Sequence, residues 1–360
     1  MSLNNNLNKT QISWRASLVA VSHPRVLTML FLGISAGIPL LLIFSSLSLW
    51  LREAGVSRSA VTYFSWAALG YSFKFVWAPL VNHLNIPLLT HYLGQRRGWL
   101  LLSQLLIMLA IILMAFIDPA TDQLMAMALA AVLLGFSAAT QDIVIDAYRI
   151  ESADEQFQAL MSSGYIAGYR IGMLIAGAGA LYLASCLGST SDQYSYVAWQ
   201  YTYFLMAAAM LVGVITTLCI SEPDIASRGG SIPDTRHSLR FFVLFITAVL
   251  GFIACYVVTS EITQVTKAYL AEILFNQILA SSLIEIVRLG LAAYAAFLIA
   301  NLLIKIGLVE QGQIHRAYIT PVRDFFDRYG LSLALALLAL IGLYRVSDIV
   351  LGVISNVFYQ

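Results

Sequence analysis

The sequence predicts an all-α polytopic membrane protein. Of its 360 residues 60% are hydrophobic and only 11% are charged, and the apolar residues gather into runs long enough to cross a bilayer. A mean hydropathy of +0.81 agrees. The formal net charge of +1 offers nucleic acid no electrostatic footprint. Cys186, Cys219 and Cys255 lie in or beside apolar segments without CxxC spacing, so they read as small packing residues rather than disulfide or metal chemistry. His23, His83, His91, His237 and His315 all fall in short polar connectors, and HExxH and phosphate-loop motifs do not occur. An intramembrane enzyme needs a nucleophile and base, or metal ligands, converging in a span, and no predicted span holds a histidine. The chain therefore reads as no enzyme, with no metal and no cofactor.

Residues 1–25 form a polar N-terminal segment that lacks the short apolar core and cleavage site of a secretory signal, so the first span reads as an uncleaved anchor. Apolar stretches of bilayer length, about 20 residues each, follow near 26–50, 58–80, 99–117, 124–142, 159–187, 198–220, 239–259, 281–306 and 331–351. Alternating them across the membrane puts Lys9, Arg15, Arg25, Arg96, Arg97, Arg149, Arg228, Arg236, Arg240, Lys305, Arg316, Arg323 and Arg328 on one side. Only Arg52, Arg58 and Lys267 fall on the other, so the amino terminus is expected in the cytoplasm.

The first six spans, 26–220, are followed by a connector, 221–238, with Pro223, Gly229, Gly230 and Pro233. That is the pattern of one six-helix half of a two-half transporter. A pair of further spans, 239–310, returns the chain to a second basic connector, 311–330. Residues 331–360 then supply one more span. A second half needs about five more helices, so the chain is expected to be truncated after the first helix of that half, and the 360 residues alone are expected not to transport.

Polar residues inside spans nominate a site. Gln141 and Asp142 close the fourth apolar stretch, and Asp146 shares a helical face with Asp142 one turn before Arg149. A carboxylate near hydrocarbon costs roughly 2.5–3.5 kcal/mol on insertion scales, so it turns toward a bundle interior or a water path. Asp146, Arg149 and Glu151 read equally as a solvated helix end. Tyr169-Arg170 falls near the middle of the fifth span. There Arg170 either meets an anionic substrate or pairs structurally with Asp142 or Asp146. Lys74, near the inner end of the second span, either joins the site or snorkels to headgroups. Arg345 and Asp348, three apart in the last span, suit mutual neutralisation, and Arg288 suits Glu285. Gly33 and Gly37, like Gly164, Gly168 and Gly172, recur every four residues and let helix backbones approach closely, either for rocking or for plain tight packing. Pro39 can kink the first span where a gate would lie.

Several stretches resemble the AmpG family, muropeptide permeases of the major facilitator superfamily. They are Gly33-Ile34-Ser35-Ala36-Gly37-Ile38-Pro39, Phe73-Lys74-Phe75-Val76-Trp77-Ala78-Pro79-Leu80 and Gln95-Arg96-Arg97-Gly98-Trp99-Leu100, then Ser137 to Ala147, Gly168 to Met173 and Pro321 to Phe326. The resemblance implies the superfamily fold and a proton-driven importer in the bacterial inner membrane; the sequence leaves its oligomeric state open, with a monomer expected if the chain is full length. Its substrate would be N-acetylglucosamine–anhydro-N-acetylmuramic acid peptides, taken up for cell-wall recycling and beta-lactamase induction. Gln141, Asp142, Lys74, Tyr169 and Arg170 match the family's cavity positions. The loop lock to Arg96 and Arg97 is weakened, since Asn82-His83 stands where the superfamily has an Asp followed by Arg, and the inserted pair occurs in some members only. A permease for another bulky solute such as acetyl-CoA, and a non-transporting remnant or sensor, are the rival readings.

Overall fold

The computed structural model describes residues 22–57, 64, 66–190, 193–223, 235–309, 312 and 315–358, and every regular element among them is helical. The chain divides into two compact units, Met1–Val81 with Ile86–Ser231, and Asn82–Asn85 with Ile232–Gln360.

In the first unit α1 (Pro24–Leu41) starts with a proline at its first position, where a missing N–H is no loss. The Arg25 N–H donates to His23 Nδ1 ahead of it. Pro39 cannot donate to the helix ladder, and a wide π turn, Leu42–Ser46, follows before the chain resumes as α2 (Leu47–Glu53). Then come α3 (Trp66–His83), the short α4 (Leu89–Leu93), α5 (Gln95–Ala115) and α6 (Leu124–Ser152). The fifth span is α7 (Glu155–Leu174), a π turn at Ile175–Gly179 and α8 (Ala180–Cys186); α9 (Tyr196–Ala209) and α10 (Leu211–Cys219) make the sixth. The two π turns adjoin, and Ser46 Oγ of the first donates to the Ala176 carbonyl of the second at 2.6 Å.

The tightest contact is α1 on α7, and it is made of glycine. A Cβ on Gly33 would strike the Tyr165 carbonyl oxygen, one on Gly37 the Tyr169 carbonyl, one on Gly168 the Leu30 carbonyl and one on Gly172 the Ile34 carbonyl. Gly164 faces Val26 in the same seam. Lipid tails are as apolar as leucine side chains, so such backbone approach and the packing around it, rather than water exclusion, hold two membrane helices together. Below this seam the core is fully buried Leu42, Leu47, Trp50, Ile107, Met114, Leu134, Trp199 and Tyr203. Trp50 and Trp199 stack at 5.7 Å, with Trp199 Nε1 donating to Glu53 at 2.7 Å and Trp50 Nε1 to Tyr194 Oη at 3.3 Å. Burial and the neighbouring Asp118 carboxylate, which accepts from it at 2.6 Å, push the Tyr194 phenol above its ordinary range.

The second unit contains α11 (Thr235–Val258), α12 (Ser260–Leu274), α13 (Gln277–Lys305), a π turn at His315–Ile319 and α14 (Thr320–Phe358). The segment expected as a connector between the seventh and eighth spans is thus itself the helix α12. Gly330, at φ 71°, breaks α14 one residue before the expected start of the last span. Among the described residues eight helices are long and apolar enough to cross a membrane. The expected second span begins outside them, at 58–63, and α3 forms its later part. The fourth extends past its expected end at 142, because α6 continues unbroken to Ser152.

Replacing Gly168 by Val should force α1 and α7 apart. Overpacking of this kind costs about 1–3 kcal/mol, read as a lower thermal unfolding midpoint in detergent; an unchanged midpoint would contradict the backbone contact.

Candidate functional site

The side chains of α6 divide the first unit's polar groups into two sets, because consecutive helix residues project about 100° apart. Asp142 points toward α3 and α7. Lys74 Nζ stands 3.9 Å from Asp142 Oδ2, and Tyr165 Oη donates to Asp142 Oδ1 at 3.2 Å. The Lys74 and Asp142 side chains keep 30% and 12% of their surface, so this pair borders open space rather than sealed core. Tyr169, one turn along α7, places its ring 5.9 Å from Tyr165, and Tyr71 adds a buried hydroxyl on α3 one turn before Lys74. Among the described residues that hydroxyl makes no hydrogen bond.

Gln141 points the other way. It is fully buried, with Nε2 donating to Ser35 Oγ of α1 at 3.0 Å, so a ligand reaches it only if α1 withdraws. Gln104 of α5 accepts from Thr217 of α10 at 3.0 Å, and both are fully buried. Among the described residues Gln141 Oε1 and Gln104 Nε2 each lack a partner. Four helices thus share a polar seam inside an apolar bundle, and unmet groups there are costly.

The remaining nominated residues are spread out. Asp146 pairs with Arg149 at 3.2 Å, and Arg149 also reaches Ser162. Arg170 is exposed, with Met173 Sδ at 4.0 Å, and among the described residues no carboxylate lies within ion-pair distance of it. Arg345 and Asp348 lie on α14, but their side chains lie outside the described residues. Arg288 meets Glu285 at 3.3 Å.

At the inner end expected from the charge pattern, Arg96 grips Glu151 of α6 through Nε at 2.7 Å and Nη2 at 2.5 Å. The backbone N–H groups of Arg96 and Arg97, at the open end of α5, donate to Glu222 at 2.7 and 3.0 Å. Arg97 reciprocates by donating to the Thr217 and Leu218 carbonyls that end α10. A carboxylate on a helix start and a guanidinium on a helix end both complement the helix dipole. Burial nevertheless pushes the Glu222 carboxyl above its ordinary range, against the lowering effect of those N–H groups and arginines. Asn82 is exposed at the end of α3, in the other unit.

Sequence reasoning missed Tyr165, Tyr71, Ser35, Gln104 and Glu222. A tyrosine or a lone serine in an apolar span carries no distinctive spacing, so only packing reveals them.

Charges turned inward on helices of bilayer length define a multi-pass membrane protein. Residues 25–222 match the family model described as Acetyl-coenzyme A transporter 1. The chain belongs to that family. It is 39% identical over 201 residues to a Rickettsia felis protein named as a transporter, AmpG 4, covering 56% of this chain and 46% of the relative. It is 36% identical over 201 residues to the anhydromuropeptide permease of Escherichia coli K12, covering 56% and 38%. An uncharacterized Haemophilus influenzae protein is 34% identical over 202 residues, 56% and 44%. The chain thus spans about half the length of the curated relatives it matches, or less.

Two measurements probe the inner clamp. Arg96→Ala leaves Glu151 without its arginine in a largely buried setting, and should destabilise the unit by about 3 kcal/mol in detergent unfolding; a loss below about 0.5 kcal/mol would reduce the pair to a surface bridge. For Glu222 the folded pKa lies above the unfolded one, so its contribution is favourable at low pH and is lost as pH rises through the folded value. Glu222→Gln should remove that part of the decline; an unaltered slope of stability against pH would contradict the assignment.

Proposed function

We propose that this chain carries the substrate and proton site of an inner-membrane importer of anhydromuropeptides, and that Asp142 is its proton-binding group. The observation that carries the reading is the contact of Asp142 with Lys74 and Tyr165 at the edge of open space. The names of the Rickettsia and Escherichia coli relatives support the substrate class.

The chemistry is an exchange of partners. With Asp142 ionised, Lys74 is neutralised by it. Protonation of Asp142 removes that charge and frees the Lys74 ammonium for a carboxylate of the peptide stem, with Arg170 as a second exposed cation. Proton and anionic substrate then favour each other's binding, and the coupling is reciprocal by linkage. Burial disfavours a charged carboxylate, so the protonated form also lowers the cost of closing helices around the loaded site. Each ligand shifts the conformational equilibrium only by its differential affinity for the two states. Gln141 serves as the fixed neighbour, locked on Ser35, that holds α1 against α6 in one state and offers its amide to sugar groups when α1 moves away.

A second reading keeps the same site and changes the cargo. The family description favours acetyl-coenzyme A, an anion as well. Competition decides between them: excess acetyl-coenzyme A should leave muropeptide binding intact, and full displacement would favour the second reading.

The test is binding of labelled anhydromuropeptide to the chain in lipid nanodiscs as pH is lowered. Wild type should bind more tightly at lower pH, and Asp142→Asn should bind at the tight level with no pH dependence. Wild-type pH dependence retained in Asp142→Asn would refute the proton role. Absence of binding to either protein at every pH would refute the cargo.

A further inference from the structure

The helical hairpin of the second unit turns Lys267, Glu285 and Arg288 toward its inside, while large apolar side chains line its outside. α11 runs almost directly into α12: only Thr259 lies between them, and the Thr259 N–H still donates to the Cys255 carbonyl while the Thr263 N–H donates to the Thr259 carbonyl. After Phe275, at φ 48°, Asn276 Oδ1 accepts from the Leu279 N–H and starts α13. Both α11 and α12 pack on α13, antiparallel to it. A Cβ at Gly251 would meet Ile299, Tyr256 meets Glu285 and Arg288, and Lys267 meets Glu285, so α12 lies beside the first half of α13 and α11 beside the second.

Between the arms one carboxylate gathers the polar groups. Glu285 receives Lys267 at 2.5 Å, Tyr256 Oη at 2.9 Å and Arg288 at 3.3 Å. The Arg288 guanidinium sits 3.7 Å over the Tyr256 ring and donates to the Tyr256 carbonyl. The outer faces are the reverse. On α11 the exposed side chains Leu239, Val243, Ile246, Leu250, Ile253 and Val257 recur at three and four residues, and past Thr259 the stripe resumes beyond the exposed Glu261 as Val265, Tyr269 and Ile273. On α13 the stripe of Tyr294, Phe297 and Leu302 extends toward the tip through Ile286, Leu283 and Leu279.

In water this pattern is upside down; beside hydrocarbon it is the expected one. Length agrees. The 29 residues of α13 measure roughly 43 Å at 1.5 Å per residue, the thickness of a bilayer with both headgroup layers. A helix lying beside its first half falls within that layer where α13 itself fills it.

We propose that residues 260–288, including all of α12, are immersed in lipid, with Val265, Tyr269 and Ile286 against acyl chains. The connector expected outside the membrane is then part of a three-helix membrane module. Its ion network of Lys267, Glu285 and Arg288 is satisfied from within; Glu272 is exposed near the tip of the hairpin, and Glu261 is exposed at the start of α12. The proposal is independent of cargo and of proton coupling.

Spin labels test it in the full chain, reconstituted in phosphatidylethanolamine–phosphatidylglycerol vesicles. Single cysteines replace Val265, Tyr269 and Ile286, with Leu250 on α11 as the in-membrane reference, after Cys186, Cys219 and Cys255 are changed to serine. All four replaced side chains are exposed, so the labels displace no packing. Collisions with oxygen should exceed those with a water-soluble nickel chelate at all three positions, as at Leu250. Nickel in excess would put the tip in water and overturn the proposal. Low collision with both reagents would mean a protein covers the stripe, and would overturn it equally.

Discussion

The approach of α1 to α7, backbone against backbone, is the constraint on which the rest of the first unit depends. Four glycines remove the side chains that would otherwise separate the two helices, and carbonyls of each helix stand where those side chains would begin. Because α7 is drawn in so closely, Tyr165 reaches Asp142 on α6 while Ser35 of α1 reaches Gln141 on the same helix. One pair of adjacent residues on α6 is thereby split between two environments. Asp142 receives a lysine and a tyrosine at the edge of open space, and Gln141 receives a serine in closed packing.

That split matters physically because hydrocarbon gives polar groups no alternative partner. A carboxylate among helices must find its counter-charge from another helix, and Lys74 supplies it from α3. The same rule organises one end of the unit, where Arg96 and Arg97 join α5, α6 and the segment after α10 through Glu151 and Glu222. It organises the opposite end as well, where Glu53 and Asp118 accept from Trp199 and Tyr194. Each end of the six-span unit is closed by hydrogen-bonded acids, and between them lie the site pair and the buried seam of Ser35, Gln104, Gln141 and Thr217. A helical unit built this way has hydrogen-bonded acids at both ends and its charged pair between them.

Much of this architecture was legible in the residues. Apolar length located the spans, since crossing a bilayer demands about 20 consecutive apolar residues whatever the fold. The four-residue glycine rhythm marked the two faces that meet in the α1–α7 seam, because only small residues permit that contact. Asp142 stood out because a charge in an apolar run is rare. The partners were not legible. Nothing local ties Lys74 to Asp142, and Tyr165 or Ser35 looks like ordinary span composition until four helices are packed together. Arg170 showed the opposite problem: a mid-span arginine reads as a buried cation, yet α7 turns it outward, away from any described carboxylate. The helix α12 escaped notice because its mixed polarity resembles a loop exposed to water, and the inward direction of Lys267 becomes visible only beside α13.

The central claim is that Asp142 meets water inside the bundle while its neighbour Gln141 does not. It is tested most directly by reaction of single cysteines at the two positions, in a chain otherwise free of cysteine, with a small membrane-impermeant thiosulfonate. The account predicts modification at 142 and protection at 141 in the resting protein. Protection of position 142 under every condition of pH and ligand would contradict it.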